Sequence, residues 1–87
     1  MRIIYKYVLK LEDEQIIKIP KYSDIIKVDH QQEQICMWVD GRSDVDLHPV
    51  KIRIIGTGRP IPEHEDLNYL DTVIMDYFVW HVYIKFN

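Results

Sequence analysis

A hydrophobic period of two dominates this chain and leaves few folds open to it. The odd positions Ile3, Tyr5, Tyr7, Leu9 and Leu11 are apolar or aromatic, with a mixed set (Ile4, Lys6, Val8, Lys10) between them. Successive strand side chains point to opposite faces, so this segment reads as a strand with its odd face buried. A helix would set Lys6 and Lys10 beside the apolar stripe, and Tyr and Val favour strands. The closing segment is the most regular: Phe78, Trp80, Val82, Ile84 and Phe86 share one face, and Val79, His81, Tyr83 and Lys85 the other. Such alternation fixes register, because a slip of one residue turns Trp80 and Val82 out to water.

Between these two strands the chain offers more of the same, punctuated by turn residues. Gln15 to Ile19, stopped by Pro20, is expected to pair with the first strand as a hairpin across Glu12-Asp13-Glu14. Ile25 to Asp29 forms a short third strand, and His30 to Gln34 a polar turn. Ile35-Cys36-Met37-Trp38-Val39 is apolar on both faces and reads as a central strand. Asp40-Gly41-Arg42 is expected to open the longest polar loop, since Asp-Gly is a strong turn signal. Val50, Ile52 and Ile54 alternate with Lys51 and Arg53 in a fifth strand, ended by the two glycines and two prolines of residues 56–62. Pro62 to Leu67 suits a single helical turn, and Tyr69 to Met75 resumes strand composition before a turn at Asp76-Tyr77. The expectation is a mainly β, single small antiparallel sheet domain over residues 1–87. It takes the form of a sandwich or partly open barrel of about seven strands, with no long helix.

Composition excludes several classes. With 47% apolar residues and ten aromatics in 87 positions, the chain has material for one core and is not disordered. A net charge of −3 argues against sequence-specific nucleic-acid binding, which works through a basic face. Cys36 is the lone cysteine, so no intramolecular disulfide ties the fold to an oxidising compartment. The opening residues lack the apolar core of a signal peptide, and no apolar run reaches the roughly 20 residues of a membrane span. A cytoplasmic protein with no membrane association is expected.

The usual catalytic patterns are missing. His30, His48, His64 and His81 are spread along the chain without metal-ligand spacing, so no metal and no cofactor are expected. His64-Glu65 has no Pro-Cys-x-x-Cys after it, and no G-x-S-x-G elbow exists. Cys36 sits in an apolar strand, where a thiol is inert, and the acidic pairs Asp44/Asp46 and Glu63/Glu65 read as solvated surface. Two features carry weight. Gly56, Thr57, Gly58 and Arg59 form a loop whose backbone N–H groups and guanidinium suit a phosphate or nucleotide, against the simpler reading of a tight connection needing positive φ. Tyr69, Tyr77 and Tyr83, with His81, form a candidate interaction surface, since Tyr joins apolar area to a hydrogen-bonding tip. Open sheet edges also allow pairing into a homodimer.

Taken in order, Tyr5-Lys6-Tyr7 with Leu9, Asp13-Glu14-Gln15, Ile19-Pro20, Cys36-x-Trp38, Ile52-Arg53-Ile54, Gly56-Thr57-Gly58 with Pro60-Ile61-Pro62, Tyr69-x-x-Thr72 and Val79-Trp80-His81-Val82 resemble a family of short proteins of bacteriophages and prophages. The resemblance covers nearly the whole chain and extends nothing to residues 83–87. It supplies no activity, catalytic residue or cofactor. It implies a non-enzymatic accessory protein in the cytoplasm of a bacterial host, binding a host protein and inhibiting an anti-phage defence component. The alternative is a nucleotide- or small-anion-sequestering protein that uses the Gly56–Arg59 loop.

Overall fold

A computed structural model describes residues 1–86 and builds them from strands and turns. In chain order these are β1 (Arg2–Leu9), β2 (Glu14–Pro20), β3 (Asp24–Gln31), β4 (Gln34–Arg42), β5 (Leu47–Gly56), β6 (Asn68–Met75) and β7 (Phe78–Phe86). They form two antiparallel sheets, ordered β1-β4-β3 and β2-β5-β7-β6. One core joins them: Leu9, Val28, Met37 and Val39 from the first meet Ile19, Ile52, Val73 and Val82 from the second. The mainly β reading is correct, and its form is a three-on-four sandwich.

The central place of β4 follows from its being apolar on both faces. β4 buries Ile35, Cys36, Met37 and Val39 in succession, and therefore lies between two neighbours. β5 and β7 likewise sit inside the second sheet. The more polar β1 and β2 take edges, and they take them in different sheets. The expected β1–β2 hairpin is therefore absent: β1 pairs with β4, setting Tyr5 opposite Val39 and Tyr7 opposite Met37, while β2 pairs with β5. The acidic link between them crosses from one sheet to the other. Gln15 clamps that crossing, donating from its amide to the Lys10 carbonyl at 2.7 Å and accepting from the Lys10 N–H at 3.0 Å. Leu11, expected on the buried face, lies on this link and is exposed.

Two further expectations are corrected. Asp40-Gly41-Arg42 does not open a loop: β4 continues to Arg42, and Gly41 pairs with Ile3. Glycine is needed there for close approach, because a Cβ would stand 2.9 Å from Ser23 Oγ and 3.1 Å from the Pro20 ring. Residues 62–67 make no helical turn, only a turn and a bend. That stretch belongs to the connection from β5 to β6, which are parallel to each other because β7 runs antiparallel between them. It is held by ion pairs to β5 rather than by helical hydrogen bonds. The turns expected near His30–Gln34 and at Asp76-Tyr77 are present as two-residue hairpins, with positive φ at Gln32, Glu33 and Asp76.

Candidate functional site

β5 outlasts β2 at one end of the sandwich, and the chain turns there at once. The Arg59 N–H donates to the Gly56 carbonyl at 3.1 Å, closing a four-residue turn with Gly58 third at φ 88°. A type II turn requires positive φ at that position, so Gly58 is a conformational residue. Gly56 serves packing: a Cβ there would lie 3.3 Å from the Trp80 ring. Gly58 thus fits the tight connection needing positive φ, whereas Gly56 answers to the Trp80 ring.

Beside this turn lies an open groove of about 880 Å³, bounded by Asp13, the end of β5, Thr57, Arg59, the prolines Pro60 and Pro62, and Tyr77 to Trp80. Phe78 and Trp80 stack at its wall, ring centroids 5.8 Å apart and 18° from parallel. The Trp80 indole Nε1 is buried without a hydrogen-bond partner. Tyr77 is 99% exposed and Phe78 61% exposed, which puts an aromatic pair at the tip of the β6–β7 hairpin. Arg59 makes no ion pair among the described residues, while Arg53 is committed to Glu14 and Glu65. Asp13 lies on the same groove, so the charges there without an ion pair among the described residues are one guanidinium and one carboxylate, the latter also acting on Arg53.

On the outer face of the four-stranded sheet a polar chain leads away from Thr57. His81 Nε2 lies 2.8 Å from Thr57 Oγ1, His81 Nδ1 lies 3.0 Å from Thr72 Oγ1, and Thr72 Oγ1 lies 2.6 Å from the Tyr69 hydroxyl. Register produces it: β6–β7 pairing sets Thr72 opposite His81 and Tyr69 opposite Tyr83. A hydroxyl bonded to imidazole resembles half of a nucleophilic triad. The group at the far nitrogen, however, is a neutral hydroxyl rather than the carboxylate that stabilises an imidazolium. The chain orients the ring.

A charge network pins the β5–β6 connection across the same face. Glu65 accepts from Arg53 Nε at 2.6 Å, from Arg53 Nη2 at 3.0 Å and from Lys51 Nζ at 2.8 Å. The hydrogen bonds from Arg53, then that from Lys51, hold the Glu65 carboxyl down at about 2, against an ordinary 4.5. The unfolded chain binds this proton more readily, so stability rises with pH through that interval. The Glu65 contribution should be complete above about pH 4.5 and lost as pH falls toward 2. Glu65→Gln should remove that part of the acid sensitivity, which denaturant melts at pH 7, 4 and 3 will read; an unchanged pH slope would refute it.

Of the expected site residues, Gly58 sits in the turn and does not line the groove, and the others fall into two groups. Thr57, Arg59 and Tyr77 meet at the groove with Gly56. Tyr69, His81 and Tyr83 lie together on the outer face, Tyr69 and Tyr83 packed edge to face at 5.6 Å, and join the groove only through Thr57. Asp13, Phe78 and Trp80 are not expected at a site from the sequence, where Phe78 and Trp80 read as ordinary core positions. Among the described residues no three His, Cys, Asp or Glu side chains are grouped to hold a metal, and no helix is long and apolar enough to cross a membrane.

A family model described as a domain of unknown function (DUF7352) matches residues 1–87. The chain belongs to this family. The match spans its whole length, including the segment after residue 82 that the phage resemblance left out. No curated protein and no solved structure matches the chain.

Proposed function

We propose that this DUF7352 member is a non-enzymatic binding protein that engages a protein partner through the groove end of the sandwich. The observation that carries the reading is the hairpin tip, where Tyr77 and Phe78 stand exposed on the wall of an open groove. Single exposed apolar residues are ordinary, but adjacent aromatics beside a concave surface have the make-up of an interface centre. The proposed partner is a protein of a bacterial host, met in the host cytoplasm, and the proposed role is inhibition of an anti-phage defence component. That context comes from the resemblance to bacteriophage and prophage proteins.

The nucleotide alternative draws on Thr57 and Arg59 at the same groove. Charge favours the protein reading: a polyanion gains little from one guanidinium that shares its groove with a carboxylate, whereas a polypeptide segment can match both. A photo-crosslinking residue placed at position 77, with position 22 at the opposite end as control, tests the choice in host lysate. Tyr22 is 87% exposed, so both sites are accessible. A discrete adduct should form from position 77, not from 22, and should be lost in Phe78→Ala. Equal labelling from both sites would overturn the reading. A rise in melting temperature with cyclic or linear nucleotides, abolished by Arg59→Ala, would favour the alternative.

A further inference from the structure

We infer that the partner enters the groove as an extended polypeptide segment, pairing with open backbone groups at Ile54 and Gly56 and setting an acidic side chain on Arg59. This deepens, and rests on, the protein-binding reading above. The backbone argument comes from the ladder. Thr57 N–H donates to the Val79 carbonyl and Ile54 N–H to the Asp13 carbonyl, each at 3.3 Å. Since strand residues bond alternately to either side, the odd residues of β5 bond toward β7 and the even ones toward β2. β2 begins at Glu14, opposite Arg53, and Asp13 still covers the Ile54 N–H, so the last two residues of β5 run on without it.

Along that overhang the Ile54 carbonyl and the Gly56 N–H face the side on which β2 is absent. Among the described residues neither has a backbone hydrogen bond outside the ladders, while the Gly56 carbonyl is taken by Arg59. One residue of an extended chain lying beside Ile55 can donate to the first group and accept from the second, which is how a sheet edge recruits a strand. Both residues line the groove. Its walls then set side-chain preference: Arg59, which has no ion pair among the described residues, takes a carboxylate as a planar fork, and the Phe78–Trp80 stack takes an aromatic or long apolar side chain. A nucleotide would use Arg59 but has no use for paired backbone groups at strand spacing.

The test uses a random dodecapeptide library displayed on bacterial cells and selected on the purified full chain. Enriched sequences should carry Asp or Glu close to an aromatic residue. A synthetic copy added to isotope-labelled protein should shift the Gly56 amide resonance and slow its hydrogen exchange by roughly tenfold or more, leaving the Gly41 amide unmoved. Methylating the peptide nitrogens one at a time should weaken binding most at a single residue. Arg59→Ala should weaken it by roughly ten- to a hundredfold, the scale of a hydrogen bond to a charged group. No enrichment over a parallel selection on Arg59→Ala, or peptides that bind without moving the Gly56 amide, would overturn strand entry. Crosslinking from position 77 that survives such a failure would leave the protein-binding reading standing; loss of both would remove it.

Discussion

Ile52→Ala should lower the unfolding free energy by about 2–5 kcal/mol, the range for removing a fully buried isoleucine and leaving a cavity. Ile52 has no exposed surface and lies near the middle of β5, between Gln15 of β2 and Ile84 of β7. Its side chain points into the core shared by both sheets, so neither sheet can close over the gap alone. Urea unfolding at neutral pH will measure it, with the midpoint falling and the slope unchanged. Ile16→Ala is the control. Ile16 stands on the outer face of β2 and is 56% exposed, so its loss should stay within about 0.5 kcal/mol. Equal effects at the two positions would contradict the assignment of inner and outer faces.

The second large effect is expected from Gly41→Val, at about 1–3 kcal/mol, the cost of forcing atoms into a filled space. The obstacle is specific. A Cβ at position 41 meets Ser23 Oγ at 2.9 Å and Pro20 Cγ at 3.1 Å, and the Ser23 hydroxyl is itself held by the Pro20 carbonyl. Adding Ser23→Ala should therefore recover part of the loss, leaving the share due to the proline ring. If the double variant is no more stable than Gly41→Val, the serine is not what the new side chain strikes, and the close approach is misassigned.

Strand positions were legible because they depend on local alternation. The odd face of β1, the doubly apolar β4 and the alternation of β5 and β7 follow from the period of two alone. Pairing was less legible, because the short acidic link after Lys10 suggests a hairpin. Whether β1 and β2 share a sheet is decided elsewhere, by the need of β4 and β5 for neighbours on both sides. Gly41 misleads for a related reason: Asp-Gly marks a turn by local conformational preference, whereas here glycine answers to Ser23 and Pro20, about twenty residues away in the chain. At the candidate site, the Gly56–Arg59 loop and Tyr77 could be singled out by residue type. Asp13 and the Phe78–Trp80 stack could not, since their role comes from β5 outrunning β2, a mismatch of strand lengths with no local signature.

The placement of β7 between β5 and β6 also governs the order in which the fold can assemble. β5 can hold β2 as soon as both exist, but β6 has no neighbour in its own sheet until β7 has been made. During synthesis the chain therefore passes through a stage in which Val50, Ile52 and Ile54 lack the strand that covers their open side. Pairings between strands far apart in sequence form slowly, and an unpaired apolar edge invites association with other chains. A ribosome-stalled product ending after β6 should thus be the aggregation-prone species, and emergence of the β7 segment the event that ends that exposure.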